Sequence, residues 1–183
     1  MKEIENPRDI LKIDPSAIVK TYKKGQIIQR AGDNKPQTIF VNQGLLRSYI
    51  IDTKGKEHIF TFAPENWIVG DAEALEFNEP IKLFIDCLED TEVLIFDNNS
   101  LFREGLSRED ISKNARMLYR RLGVLQRRVL MLMGSPAIDR YQYFLSTYPE
   151  LPNRIPQRMI ATFLGITPQA LSTIRSKIAK SGN

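Results

Sequence analysis

Residues 156–180, PQRMIATFLGITPQALSTIRSKIAK, read as two short helices joined by a tight corner. The first, Gln157 to Leu164, puts Ile160, Ala161 and Leu164 on one face. Gly165 stands where the corner needs a left-handed backbone, and Ile166 plugs it. Thr167 is a natural N-cap and Pro168 suits the first helical position, so the second helix starts sharply. Leu171, Ile174 and Ile178 form its buried face, and the small Ala161 lets the helices cross closely. Following Thr167, the outward positions are Gln169, Ala170, Ser172, Thr173, Arg175, Ser176 and Lys177. Gln can contact adenine through both amide atoms, Ala can meet a thymine methyl, and Thr and Lys suit base edges and phosphates. Arg158 and Lys180 are placed for phosphates. The stretch predicts a helix-turn-helix for double-stranded DNA.

Working back from it, Pro149, Pro152 and Pro156 predict a short extended connection. Ala137 to Thr147 forms a helix with Ile138, Tyr141, Phe144 and Leu145 toward a core, Ser135 as its N-cap and Pro136 in its first turn. Before it, Ile111, Ala115, Leu118, Leu122, Leu125, Val129 and Leu132 are spaced alternately four and three apart. That is an unbroken seam on one long helix, with Arg116, Arg120, Arg121, Arg127 and Arg128 on its other faces. So narrow a seam suits a partner helix, which would make a homodimer. Packing on the chain's own sheet is the alternative.

Residues 20–97 have a different texture. Ile27-Ile28, Thr38 to Val41, Leu45 to Ile51, His58 to Phe62, Leu83 to Leu88 and Val93 to Phe96 are short β-branched runs between turns. Such spacing reads as an antiparallel sandwich or barrel. Asp52 to Lys56 is a hairpin turn in which Gly55 supplies the positive φ, and residues 7–21 could form a helix ahead of the strands.

Composition narrows the function. The chain has 183 residues and a net charge of +4, but residues 1–97 carry −5 and residues 98–183 carry +9. A basic half on an acidic half points to a polyanion-binding module carried by something else. Cys87 is the only thiol and His58 the only histidine. Disulfides, four-cysteine clusters, histidine-rich metal sites of the cupin kind and a Ser-His-Asp triad away from His58 are excluded, and no catalytic activity is expected. No apolar leader or membrane span is seen, so a cytoplasmic protein is expected.

Several strings together resemble the Crp/Fnr family of bacterial transcription regulators over nearly the whole chain. They are Lys24-Gly25-Gln26-Ile27 with Gly32-Asp33, Gly44 to Arg47, Gly70-Asp71 before Glu73-Ala74-Leu75, Val93-Leu94, and Ile160-Ala161 through Leu164 to Pro168 and Leu171-Ser172. The resemblance implies an α+β fold: an antiparallel, jelly-roll-like β-roll related to cyclic-nucleotide-binding domains (1–110), a dimerisation helix (111–134) and a winged helix-turn-helix (135–183). It also implies palindromic half-sites one helical turn apart and RNA polymerase as a partner. Only three residues follow Lys180, so wing strands after the second helix are not expected.

The departures matter as well. Family members that bind cyclic AMP carry an Arg for the cyclic phosphate where this chain has Ile81, in the string Ile81-Lys82-Leu83. Lys82 replaces a bidentate guanidinium imperfectly, and Glu73, Glu76 and Glu79 repel a phosphate. The candidate effector pocket, Trp67, Gly70, Asp71, Ala72, Ile81, Lys82 and Leu83 with a cavity between Trp67 and Cys87, is thus expected to hold a small apolar or uncharged ligand, or none. No cofactor is expected, since Cys87 alone cannot hold an iron–sulfur cluster. His58 reads as an ordinary strand residue and Cys87 as a small buried hydrophobe. Thr173 stands where relatives commonly carry Arg, so the operator cannot be copied from the family. The alternative functions are a non-catalytic interaction protein with a degenerate helix-turn-helix, or a small-molecule-binding β-roll protein.

Overall fold

The structure, a computed structural model, describes residues 17–96 and 106–181. The chain divides into two compact units, residues 1–115 and 116–183. The first holds strands β1 (Ile18–Tyr22), β2 (Ile27–Gln29), β3 (Thr38–Gln43), β4 (Leu46–Ile51), β5 (Glu57–Ala63), β6 (Ile68–Val69), β7 (Phe84–Cys87) and β8 (Thr91–Phe96). They form two four-stranded sheets, ordered β1-β8-β3-β6 and β2-β7-β4-β5, and the described pairings are all antiparallel. Sequence neighbours are mostly not sheet neighbours, which is the roll expected.

Alternation explains the core. Val93 and Ile95 on β8 point inward with Ile39, Val41, Leu46, Ala63, Val69, Ile85 and Cys87, while Leu94 and Phe96 join Phe40 on the other face. Two strands, β1 and the two-residue β6, escaped the sequence reading. The helix expected over 7–21 lies up to residue 16 outside the described residues. Its last part is corrected: Ile18–Tyr22 is a strand, because β-branched Ile18, Val19 and Thr21 favour extended backbone and pair with β8. The Asp52–Lys56 hairpin forms with Gly55 at φ +77°, and the Asp52 carboxylate accepts the Lys54 and Lys56 N–H groups. Gly44 closes the β3–β4 turn at φ +97°, and a Cβ there would lie 2.5 Å from the Asp90 carbonyl.

A short helix, α1 (Ala72–Phe77), follows β6, and α2 (Arg108–Gly134) carries the seam. It starts three residues before Ile111 because Ser107 Oγ accepts the Asp110 N–H, an N-cap. The second unit continues with α3 (Ala137–Thr147), α4 (Leu151–Arg154), α5 (Gln157–Leu164) and α6 (Pro168–Ser181). Phe144, Tyr148 and Phe163 meet tilted or edge-on, with ring centroids 5.6–5.8 Å apart, at the centre of its core.

Three local expectations are corrected. Pro136, in extended backbone, occupies the N-cap of α3 with no side-chain bond, and Ser135 instead gives its carbonyl to Arg140. The connection expected to be extended contains the single turn α4, since Pro152 is tolerated in a first turn. No strand accompanies the helices among the described residues of this unit. The wing is thus absent there, and helix-forming residues run through Ser181.

On the other face of β4, Arg47 is almost buried. Its Nε and Nη2 donate to Asp86 Oδ1 and Oδ2 at 2.8 and 2.9 Å, Nη1 donates to Glu57, and its guanidinium lies 4.2 Å from the Tyr49 ring centre. Removing one partner of a buried pair strands the other charge. Arg47→Met should therefore lower stability by about 3 kcal/mol in urea unfolding, and the double variant Arg47→Met/Asp86→Leu should recover most of it.

Candidate nucleic-acid interface and effector site

The corner between α5 and α6 is built as the sequence predicts. Gly165 is left-handed at φ 66°, its N–H donates to Thr162, and the Ile166 N–H reaches back to Ala161 at 3.0 Å. Thr167 Oγ1 accepts the Ala170 N–H at 3.1 Å, and Pro168 opens α6. Ile160, Ala161, Phe163 and Leu164 are buried from α5, Leu171 and Ile174 from α6. Packing therefore leaves Thr167, Gln169, Ser172, Thr173, Ser176 and Lys177 exposed, with Ala170 and Arg175 half-buried. Arg158 and Lys180 are exposed beyond them. Thr173 and Ser176 spend their hydroxyl protons on the carbonyls of Gln169 and Ser172, so toward a base edge they offer lone pairs.

Two arginines hold this corner, a role the sequence reading gave to neither. Arg128 Nη2 donates to the Phe163 carbonyl at 3.2 Å, with its guanidinium 3.6 Å above the Phe163 ring. Arg140 donates from Nη1 to the Leu164 carbonyl at 3.1 Å and from Nε to the Ser135 carbonyl at 2.9 Å. Cations thus meet the last carbonyls of α5, where the helix dipole favours them. Arg128, read as one of the outward arginines, is buried because a flat guanidinium packs on an aromatic face. Burial pushes its pKa down to about 10, so it stays charged at neutral pH.

Along α2 the seam faces outward from its own chain. Ile111, Leu118, Leu122, Val129 and Leu132 are 36–58% exposed, Ala115 is exposed and Leu125 half-buried. Tyr119, Leu130 and Met133, outside the seam, are exposed too and widen the apolar stripe.

In the first unit, Gly70 leads into Asp71, the N-cap of α1. Asp71 is buried, and its Oδ1 accepts the Ala74 N–H while Oδ2 accepts the Lys82 and Leu83 N–H groups at 2.8 and 3.0 Å. Ile81 is buried and held through both backbone groups by Gly32 and Asp33. Lys82 is exposed and its ammonium is taken by Glu73, the contact that raises its pKa. Ala72 is exposed, and Trp67 and Leu83 are half-buried. The cavity expected between Trp67 and Cys87 is corrected, since both belong to one packed core cluster. An opening of about 410 Å³ lies instead beside Ile28, Gln29, Asp33, Asn34, Lys35 and Gln37. His58 bonds Asp52 on the hairpin, and among the described residues no three His, Cys, Asp or Glu side chains are grouped to hold a metal ion.

A model of the cyclic nucleotide-binding domain matches residues 19–106. FixK2 from Bradyrhizobium japonicum is 22% identical over 91% of this chain and 86% of its own, with a TM-score of 0.75. A Crp/Fnr-family transcriptional regulator of Thermus thermophilus is 19% identical over 90% and 87%, with a TM-score of 0.69. The chain shares the fold of these regulators. A c-di-GMP responsive global regulator from Xanthomonas campestris shares that fold at 16% identity over 96% and 93%, with a TM-score of 0.70. No curated protein matches.

Within this fold Cys87 faces the roll's core, and burial pushes its pKa from about 9 up to about 11. Between those values only the unfolded chain ionises its thiol, so this contribution to stability falls as pH rises across that window. At pH 8 Cys87 should react with a disulfide reagent only as fast as the roll opens, and at once in denaturant. Fast labelling of the folded chain would contradict its burial.

Proposed function

We propose that the chain is a sequence-specific DNA-binding transcription regulator acting as a homodimer, with double-stranded DNA and RNA polymerase as partners, in the cytoplasm. The observation that carries this reading is the clamped helix-turn-helix, which turns the polar face of α6 outward on the +9 half of the chain. Gln169, Ala170 and Thr173 are assigned to base edges, and Arg158, Thr167, Ser172, Arg175, Ser176, Lys177 and Lys180 to bases or phosphates around them. Pairing of two copies along Ile111–Leu132 would set two such helices against successive major grooves. No helix among the described residues is long and apolar enough to cross a membrane. The reading assigns the chain no reaction and no cofactor.

The first unit is assigned to an effector other than cyclic AMP. The buried Ile81, the Glu73 partner of Lys82 and the Asp71 carboxylate on the Lys82 and Leu83 N–H groups all argue against a phosphate. Effector-driven shifts of α2 would then change the spacing of the recognition helices.

Fluorescence anisotropy with genomic fragments should show affinity falling by about a thousandfold between roughly 50 and 200 mM salt. Lys177→Glu should abolish binding to any duplex while leaving the fold intact by circular dichroism. A salt-insensitive interaction would remove the reading. For assembly, Leu122→Glu/Val129→Glu should sediment as a monomer where the unaltered chain sediments as a dimer, and should lose affinity for a palindromic site.

A further inference from the structure

The outer face of α6 carries no charge over its first two turns. Leu171 and Ile174 are buried, so the line opposite them runs through Gln169, Ser172, Thr173 and Ser176, all exposed. Arg175 follows Ile174 toward the buried side and is half-buried, and Lys177 is the first exposed cation along the helix. No Asp or Glu follows Glu150 in the chain. The outward line thus lacks both the guanidinium that grips guanine through N7 and O6 and the carboxylate that accepts from cytosine N4.

What this line does offer is fixed by the helix itself. Thr173 Oγ1 donates to the Gln169 carbonyl and Ser176 Oγ to the Ser172 carbonyl, each at 3.1 Å. A carbonyl has no proton to give, so each hydroxyl spends its own on this bond and turns lone pairs outward. Guanine shows only acceptors on its major-groove edge, and lone pairs set against lone pairs leave both groups unsatisfied. Adenine shows the N6 amine, a donor that such a hydroxyl accepts, and its N6 and N7 together fit the Gln169 amide. The methyls of Ala170 and Thr173 suit the thymine methyl, which cytosine lacks.

Resting on the reading of α6 as the DNA-facing helix, we infer that its first two turns select A·T pairs and reject guanine. Gln169 to Ser176 covers about 10 Å of helix, or roughly three base-pair steps. Thr173 is the residue that sets the preference. Its hydroxyl, held by the Gln169 carbonyl, accepts from adenine N6 and repels guanine O6. Arg158, Lys177 and Lys180 serve phosphates around it and carry no base preference.

Selection of the full chain against duplexes with randomised palindromic half-sites tests this. The retained duplexes should hold about three consecutive A·T pairs in each half-site, with guanine depleted about tenfold there. In the best of them, 2-aminopurine in place of adenine removes the major-groove amine but keeps the pair with thymine, and should weaken binding about tenfold. Thr173→Arg should move the selected base at one position to guanine. Thr173→Val keeps the shape without the lone pairs and should erase the preference at that position, whereas Thr173→Ser should retain it. The 2-aminopurine duplex changes no residue of the protein, so the test stands even where a variant misfolds. Guanine enriched at these pairs, indifference to 2-aminopurine, or a preference unaltered in Thr173→Val would each overturn the inference and leave the regulator reading standing. A chain that retained no duplex of any sequence would overturn both.

Discussion

Apolar side chains on a long helix must be covered by something, and in this chain the covering is not internal. Leu122 and Val129 are more than half exposed on α2, with Tyr119, Leu130 and Met133 beside them. Transfer of such surface out of water contributes about 25 cal/mol per Å², so a stripe of this length strongly favours a second apolar surface. A second copy, as proposed, supplies one with the same periodicity. Two-fold pairing of α2 then relates two α6 helices by the symmetry that palindromic DNA has. The DNA-binding reading leans on that covering.

The corner that presents α6 is held from behind by charge, not only by packing. Arg128 and Arg140 come from different helices, α2 and α3, and converge on consecutive carbonyls at the end of α5. Arg140 also holds the Ser135 carbonyl at the α2–α3 junction. These hydrogen bonds, whose lengths tolerate little slack, tie α2 and α3 to the corner before α6. On the proposed reading, this is a short physical route between the seam helix and α6 inside one unit.

The roll shows how a shared fold can change its chemistry. Asp71 does two jobs with one carboxylate, capping α1 and filling the N–H groups of Lys82 and Leu83. An internal anion in that place makes an external one redundant. Gln29 Oε1 and Ser48 Oγ are buried without a hydrogen bond, and the match to the cyclic nucleotide-binding domain is a match of fold.

Periodicity and turn chemistry in the sequence determined the elements. The strands around Thr38–Val41 and Val93–Phe96, the bounds of α3 and α5, and the cap at Thr167 follow from local preferences that tertiary contacts did not override. So did the outward face of α6, because its apolar positions Leu171 and Ile174 leave only one side for Gln169 and Lys177. Strand β6, two residues long, was not legible, while β1 was misread as helix although its β-branched residues favour a strand. Nor was the role of Arg128 and Arg140 legible, since a cation's partner carbonyls lie many residues away. The alignment of buried Gln29, Ser48 and Thr61 across the β2-β7-β4-β5 sheet is a product of register, which joins residues from three separate strands onto one face. Only the tertiary structure could decide it, because hydrogen-bonded ladders, not sequence distance, fix which side chains stand together.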